Sequence, residues 1–402
     1  MVEGNATLVV DLGNSSTKCT VLFGKNNKTG KFNERRFDLS NVFAPIDEGY
    51  QVSSDYDTET SSIMSVDTML DGRSIRGHFC NGELQFKEKP LATIKPSASS
   101  KKYNLDSTVL SVRLALFNAV REVMSMSRVS DYKQIGVTWT VVMLLPPGDI
   151  DEGKDAMTDI IKAVNSVDMI YPEVSIPVEV TKVVMLPEGM CAYVGVVYDR
   201  GHVYRPDYKF LTEESVIVFD IGAGTTDCLL IKNGVLVQNS KYTVTQGGNN
   251  VFQLVRRKLR RNGLDIDDED LHNGIIRGYV KDGVKEVSII DEVNSAKSEV
   301  AQKIISEFQD YLDVTDIKLR SVGYVLVVGG GSIQDSDCQE ILPLSYRVIE
   351  NFKTLSPNSE LIEIPKHTIQ KILPDGDVET VEEVISPRDL NLIGASILAE
   401  VL

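Results

Sequence analysis

The chain has 402 residues, 42% of them hydrophobic and 25% charged, which suits a globular protein of two or three domains with a sizeable core. Its formal net charge of −16 argues against direct, non-specific nucleic-acid binding, which needs clustered Lys and Arg. No apolar run approaches the length of a membrane span, and Met1-Val2-Glu3-Gly4-Asn5 has neither the basic region nor the apolar core of a signal peptide. Five isolated cysteines (Cys19, Cys80, Cys191, Cys228, Cys338) point to reduced thiols in a cytoplasm, not to a disulfide frame or a zinc site.

In chain order, residues 1–37 read as a hairpin with a third strand: Leu8-Val9-Val10, a Gly/Ser/Thr turn, then Val21-Leu22-Phe23. Residues 38–104 are polar, with turn signals Asp71-Gly72 and Asn81-Gly82 between short alternating runs, and read as a small β-rich subdomain. Residues 51–62 could equally be a surface loop. From Ser107 a helix is predicted, with Val109, Leu110, Leu114, Phe117 and Val120 on one face. Ile135–Leu145 is a buried strand stopped by Pro146-Pro147. Thr158–Val167 reads as a helix, and Val178–Met185 as a strand leading into Pro187-Glu188.

The second half opens on Val216-Ile217-Val218-Phe219, a second Gly/Thr turn and Leu229-Leu230-Ile231, with strands continuing to about Thr245. Gly247-Gly248-Asn249-Asn250 starts a helix with Asn as its cap. That helix carries the basic run Arg256-Arg257-Lys258-Leu259-Arg260-Arg261, either a solvated face or a contact to nucleotide or a neighbouring subunit. Leu264–Ile275 and Ser295–Leu312 read as further helices. Tyr324–Val328 is a buried strand ending in Gly329-Gly330-Gly331-Ser332, a turn where glycine lets backbone lie close to a ligand.

The most informative pattern is a repeat. Asp11-Leu12-Gly13-Asn14-Ser15-Ser16-Thr17-Lys18-Cys19 recurs 209 positions later as Asp220-Ile221-Gly222-Ala223-Gly224-Thr225-Thr226-Asp227-Cys228. Each copy lies between two β-rich runs, and an aspartate ends the first strand both times. Small residues let backbone N–H groups approach an anion, and hydroxyls add donors. Two such loops facing one another would grip a polyphosphate, with the aspartates placed for a hydrated Mg²⁺.

These three motifs, in this order, resemble those of the actin-like ATPase superfamily. The first loop matches at Asp11, Gly13, Ser15 and Lys18. The second matches at Asp220, Gly222, Gly224, Thr225 and Asp227, and the adenosine motif at Gly329, Gly330 and Gly331. Leu186-Pro187-Glu188-Gly189 with Met190-Cys191-Ala192, and Leu392-Ile393-Gly394-Ala395-Ser396, resemble the two helices that cross the family's hinge. The resemblance implies an α/β, actin-like fold: two ribonuclease-H-like domains around a nucleotide cleft, each with a smaller subdomain. The expected domains are 1–195, with an insertion at about 38–104, and 196–402, with an insertion at about 250–320.

The resemblance also implies the chemistry. Lys18 is a point charge on the β- and γ-phosphates, and Asp11 and Asp220 hold Mg²⁺ largely through water. Backbone around Gly13, Asn14, Ser15, Ser16 and Thr17, and around Gly222, Ala223, Gly224, Thr225 and Thr226, cradles phosphate; Gly329–Ser332 takes the adenosine. Glu188 positions the attacking water, as a glutamate does in the plasmid-segregation actins, and Asp227 is a second polar anchor near it. Glu188 also reads as a carboxylate on a helix first turn.

Leu144-Leu145-Pro146-Pro147, Leu186–Gly189 and Gly247-Gly248-Asn249 are most similar to the ParM-type actins of plasmids and phages. By that resemblance the protein hydrolyses ATP, or GTP, polymerises head to tail, and segregates DNA through a separate DNA-bound adaptor, with no membrane partner. A non-polymerising kinase of a small molecule is the alternative. A module that holds ATP without turnover is the third class, against which the intact Asp11, Lys18, Glu188, Asp220 and Asp227 argue.

Overall fold

The computed structural model describes residues 2–13, 16–25, 30–47, 50, 52, 57, 61–70, 73–82, 84, 93–96, 101–333, 336–372 and 378–402. The turn expected at Asp71-Gly72 and most of 51–62 lie outside these residues, as do Asn14 and Ser15. Two compact units emerge. The first comprises 1–187, 200–203 and 395–402, and the second 188–199 and 204–394. The changeover is therefore at Pro187/Glu188, where the sequence reading put it near 195.

In the first unit, β1 (Val2–Leu12), β2 (Ser16–Lys25) and β3 (Phe32–Ser40) form an antiparallel meander. A second group, β4 (Ala44–Ile46), β5 (Ser61–Leu70) and β6 (Arg73–Gly82), follows. Helix α1 (Asp106–Ser127) then leads to β7 (Ile135–Leu145), α2 (Ile150–Lys162), β8 (Ser166–Tyr171), β9 (Val174–Pro177) and β10 (Glu179–Pro187). The main sheet has the order β10-β7-β1-β2-β3, with β7 parallel to both β1 and β10. A central parallel strand is covered on both faces, which is why β7 is an almost unbroken apolar run with Trp139, Val141, Met143 and Leu145 fully buried. Helix α1 covers this sheet with Val109, Leu116, Phe117 and Val120, each contributing about 1.5–3 kcal/mol by burial. It ends at Arg128, whose left-handed backbone lets its N–H reach the carbonyls of Met124 and Ser125.

The smaller sheet runs β4-β6-β5-β8-β9. The 38–104 segment therefore does not complete its own sheet, because two of the five strands come from beyond residue 165. Asn81 is part of β6, and its amide donates to the carbonyls of Ser40 and Val42; only Gly82, at φ 76°, begins to turn. The helix expected over Thr158–Val167 instead starts at Ile150, right after the double proline, with Asp151 and Glu152 in its first turn. It stops at Lys162, and Val167 lies in β8, where Val167 and Met169 point into the core by strand alternation.

The second unit repeats the plan. It begins with α3 (Met190–Val197), then β11 (Ser215–Ile221), β12 (Thr226–Lys232), β13 (Val235–Leu236) and β14 (Tyr242–Val244). Next come α4 (Gly248–Arg261), α5 (Asp268–Arg277), the hairpin β15 (Tyr279–Asp282) and β16 (Lys285–Ser288), α6 (Ile290–Val314) and β17 (Tyr324–Val328). Helix α7 (Leu344–Phe352), β18 (Glu360–Leu361), the hairpin β19 (Lys366–Ile372) and β20 (Val378–Val384), and α8 (Leu390–Ala399), whose residues from Ala395 on belong to the first unit, close the chain. The sheet order is β13-β12-β11-β17-β18, with β14 also on β12; β11 is antiparallel to β12 and parallel to β17.

Residues 250–320 have no core of their own. Val251, Val255, Leu259, Val300 and Ile304 pack in one cluster with Phe219 and Val327. The ring of Phe219 sits 5.8 Å from Phe308 and from Phe352, edge-on to both. The N-cap of α4 is Gly247 and not the expected Asn; Asn250, in the first turn, accepts the Gly247 N–H at 2.9 Å. Among the described residues no helix is long and apolar enough to cross a membrane.

Candidate functional site

The two loops are built alike. In the first, Asp11 pairs with Lys18 across the β1–β2 ladder, and Gly13 N–H donates to Ser16 O at 3.0 Å. In the second, Asp220 pairs with Asp227 across β11–β12, and Gly222 N–H donates to Thr225 O at 2.8 Å. The same bond thus closes both turns at the 209-residue offset. Each aspartate also has a parallel neighbour on its other side, Leu144 for Asp11 and Val328 for Asp220. Both aspartates therefore lie one residue from the carboxyl end of the middle strand in the order of their sheets, beside a parallel neighbour, where open α/β sheets bind ligands.

The supports differ. The first loop is held by Asn41, almost fully buried just past β3. Its amide donates to Gly13 O, and its carbonyl accepts from the hydroxyls of Thr17 and, at 3.3 Å, Ser111 of α1. The second loop is held by backbone: Gly248 N–H donates to Gly222 O at 3.0 Å and Asn249 N–H to Ala223 O at 2.7 Å, both from the start of α4. Thr226 donates to Gln246 O at 2.8 Å, and Thr243 of β14, directly opposite Asp227, donates to its carboxylate. Helix N-terminal N–H groups that could have faced an anion here fix the loop instead.

Glycines 329–331 divide by purpose. Gly329 has φ 86°, and a Cβ there would lie 2.4 Å from Asp220 Oδ1 and 2.5 Å from Ile221 O. At Gly331 it would meet the Ile221 side chain at 2.6 Å. These two are glycine because the turn lies on the second loop. Only Gly330 is exposed, with open space where its Cβ would be, so it alone has room for a ligand. Ser332 is buried, its hydroxyl bound to Gly329 O at 2.7 Å.

Glu188 is buried at the junction of β10 and α3, and Gly189 follows at φ 72°, packed on Leu229 and Val218. The first turn of α3 holds no acidic residue. Its N–H groups at Gly189 and Ala192 are instead bound by Asn391 Oδ1 of α8, at 2.8 and 3.1 Å, while Asn391 Nδ2 donates to Asp220 Oδ2. Asn391 thus caps the start of α3. The second unit gathers Asp220, Asp227, Gly222–Thr226, Gly329–Ser332 and Glu188, and the first unit gathers Asp11, Gly13, Ser16, Thr17 and Lys18.

Behind each loop sits a fully buried cysteine at equivalent positions. Burial pushes both thiols well above their usual range, reinforced by Asp38 and Asp11 at Cys19 and by Asp227 and Asp220 at Cys228. Sequence reasoning missed Asn41, Thr243 and Asn391. Only Asn391 left a trace, as a lone amide inside the apolar run Leu390–Ile393. No group of three or more His, Cys, Asp or Glu that could hold a metal occurs among the described residues.

This architecture has solved counterparts. An archaeal actin homologue, Ta0583, superposes with a TM-score of 0.62 at 16% identity, covering 99% of this chain and 100% of that one. The actin-like protein Alp7A gives 0.63 at 16% identity over 99% and 97%. ParM from Clostridium botulinum, in a 15-stranded filament, gives 0.54 at 14% identity over 99% and 99%. The chain therefore has the actin-like fold. Its residues 218–335 match the family of archaeal actin homologues described as MreB-like, C-terminal, a stretch that starts within β11 and ends just past the triple glycine. A search of curated protein sequences gave no match.

Proposed function

We propose that the protein is a bacterial actin-like ATPase that assembles into head-to-tail filaments with bound ATP, disassembles after hydrolysis, and segregates plasmid or phage DNA through a DNA-bound adaptor. The observation that carries the nucleotide reading is the duplicated turn: two Asp-x-Gly loops, each closed by the same backbone bond and each ending a central strand. A turn kept for structure alone has no reason to recur with its aspartate, its hydroxyls and its register.

Because the N–H groups of Gly13 and Gly222 are spent within their turns, phosphate falls to the amides that follow, among them those of Ala223, Gly224 and Thr225. Lys18 supplies charge to the phosphates. Asp11 and Asp220 are the carboxylates for the waters of Mg²⁺, which neutralises phosphate oxygens when bound. Glu188 orients water, with Asp227 as a further polar anchor, and Gly330 borders the nucleoside. A complex of Ta0583 with ADP and the ParM filament support nucleotide binding and self-association.

Phosphate release and light scattering with Mg-ATP test the reading together. Asp11→Ala and Asp220→Ala should abolish Mg-dependent turnover. Glu188→Ala should bind ATP nearly as before, lose about two to four orders of magnitude in hydrolysis, and give filaments that assemble and then persist. Normal phosphate release by Glu188→Ala would remove its role. Turnover without ATP-dependent scattering in the unaltered protein would replace the filament reading with that of a small-molecule kinase.

A further inference from the structure

We infer that Asn391 is a positioning residue for hydrolysis, holding the Asp220 carboxylate and the Glu188 turn in one fixed arrangement; this rests on the nucleotide reading above. The two ends it joins are remote in sequence, 171 residues to Asp220 and 202 to Gly189. The amide orientation follows from chemistry: only the carbonyl can accept from the N–H groups of Gly189 and Ala192, and only the NH₂ can donate to a carboxylate. One buried side chain thus caps α3 immediately after Glu188 and fixes an oxygen of Asp220 at the end of β11.

The position is demanding. It lies between Leu390, Leu392 and Ile393, all buried, so an apolar residue would be the default. Aspartate could cap α3 but would set a carboxylate against Asp220, and leucine could do neither. Gly329 leaves room beside Asp220 Oδ1 that any side chain would fill, since a Cβ there would lie 2.4 Å from that oxygen. Asp220 Oδ2 is therefore held by Asn391 while space is kept open beside Oδ1, and an error of about 1 Å in a group serving the waters of a bound ion costs on the order of 100-fold in rate.

The test uses the full chain and Mg-ATP. Asn391→Ala should lower kcat by about 10- to 100-fold with a much smaller change in KM. Asn391→Asp restores an acceptor for the N–H groups of Gly189 and Ala192 but removes the donor to Asp220, so it should lose kcat at least as far as Asn391→Ala; a role in capping α3 alone would have Asn391→Asp recover the rate. Wild-type kcat in Asn391→Ala, an equal loss through KM alone, or recovery of kcat in Asn391→Asp would overturn the inference. Absence of turnover in the unaltered protein would overturn the nucleotide reading and this role with it.

Discussion

Side chains at Gly329 and Gly330 meet opposite surroundings, although the two glycines are adjacent in one motif. At Gly329 a methyl group would collide with the Asp220 carboxylate and the Ile221 carbonyl, on a backbone at φ 86° that disfavours any Cβ. Gly329→Ala should therefore cost about 1–3 kcal/mol from overpacking, with a further cost of about 1–3 kcal/mol from a backbone at φ 86° and ψ 169°, a region essentially confined to glycine. Gly330→Ala meets nothing within 4 Å and should melt within about 0.5 kcal/mol of the unaltered protein, while weakening nucleotide binding. Thermal melts with and without Mg-ATP separate the two. Equal destabilisation by both changes would show that the triple glycine serves the fold alone.

Helices α3 and α8 cross closely at Gly195 and Gly394. A Cβ at Gly394 would lie 1.7 Å from Cys191 O, and one at Gly195 would lie 2.9 Å from Leu390 O. Alanine is the better helix former by about 1 kcal/mol, so propensity favours Gly394→Ala. The clash is with backbone and cannot be relieved by a rotamer, and overpacking of that kind costs about 3 kcal/mol or more. The net expectation is destabilisation of at least about 2 kcal/mol, read as a lower urea midpoint at unchanged slope. A neutral or stabilised variant would mean that the two helices separate readily. On the next element scale, α4 shows how its basic run is used: Arg256 pairs with Asp268, Arg260 with Asp265 at 2.9 Å, and Lys258 with Glu299 at 2.5 Å. These surface pairs are each worth about 0–1 kcal/mol. Among the described residues, Arg257 and Arg261 have no such carboxylate, and with Gln253, Arg256 and Arg260 they line an open groove of about 350 Å³.

For the whole molecule, a net charge of −16 outweighs that one basic strip. Long-range repulsion from a polyanion should dominate, since phosphate contacts gain affinity from clustered cations and lose it steeply with salt. The purified chain should leave a DNA fragment unshifted in electrophoresis at physiological salt and shift it only when a DNA-bound adaptor is added. A shift by the chain alone, removed by Arg257→Glu with Arg261→Glu, would assign the α4 strip to nucleic acid and remove the need for an adaptor.

Much of this was legible in the amino-acid sequence. Strand-forming runs on either side of two Asp-x-Gly turns located β1–β2 and β11–β12, because period and turn chemistry are local properties. The triple glycine and Leu186–Gly189 were legible for the same reason. What stayed hidden depends on partners distant in the chain. Val167 was read as helical because its place in β8 is decided by pairing with β5 and β9. An Asn of Gly247–Asn250 reads as the cap because an N-cap and a first-turn residue share the same side-chain chemistry, and only the fold shows Asn250 in the first turn. The division of labour among Gly329, Gly330 and Gly331 required knowing that β17 lies beside β11. Asn41 and Asn391 could not be singled out, because a buried amide is specified by the backbone groups it meets, and those lie 28 to 202 residues away. Local physics therefore placed the loops, while only the tertiary structure decided what holds their carboxylates in position.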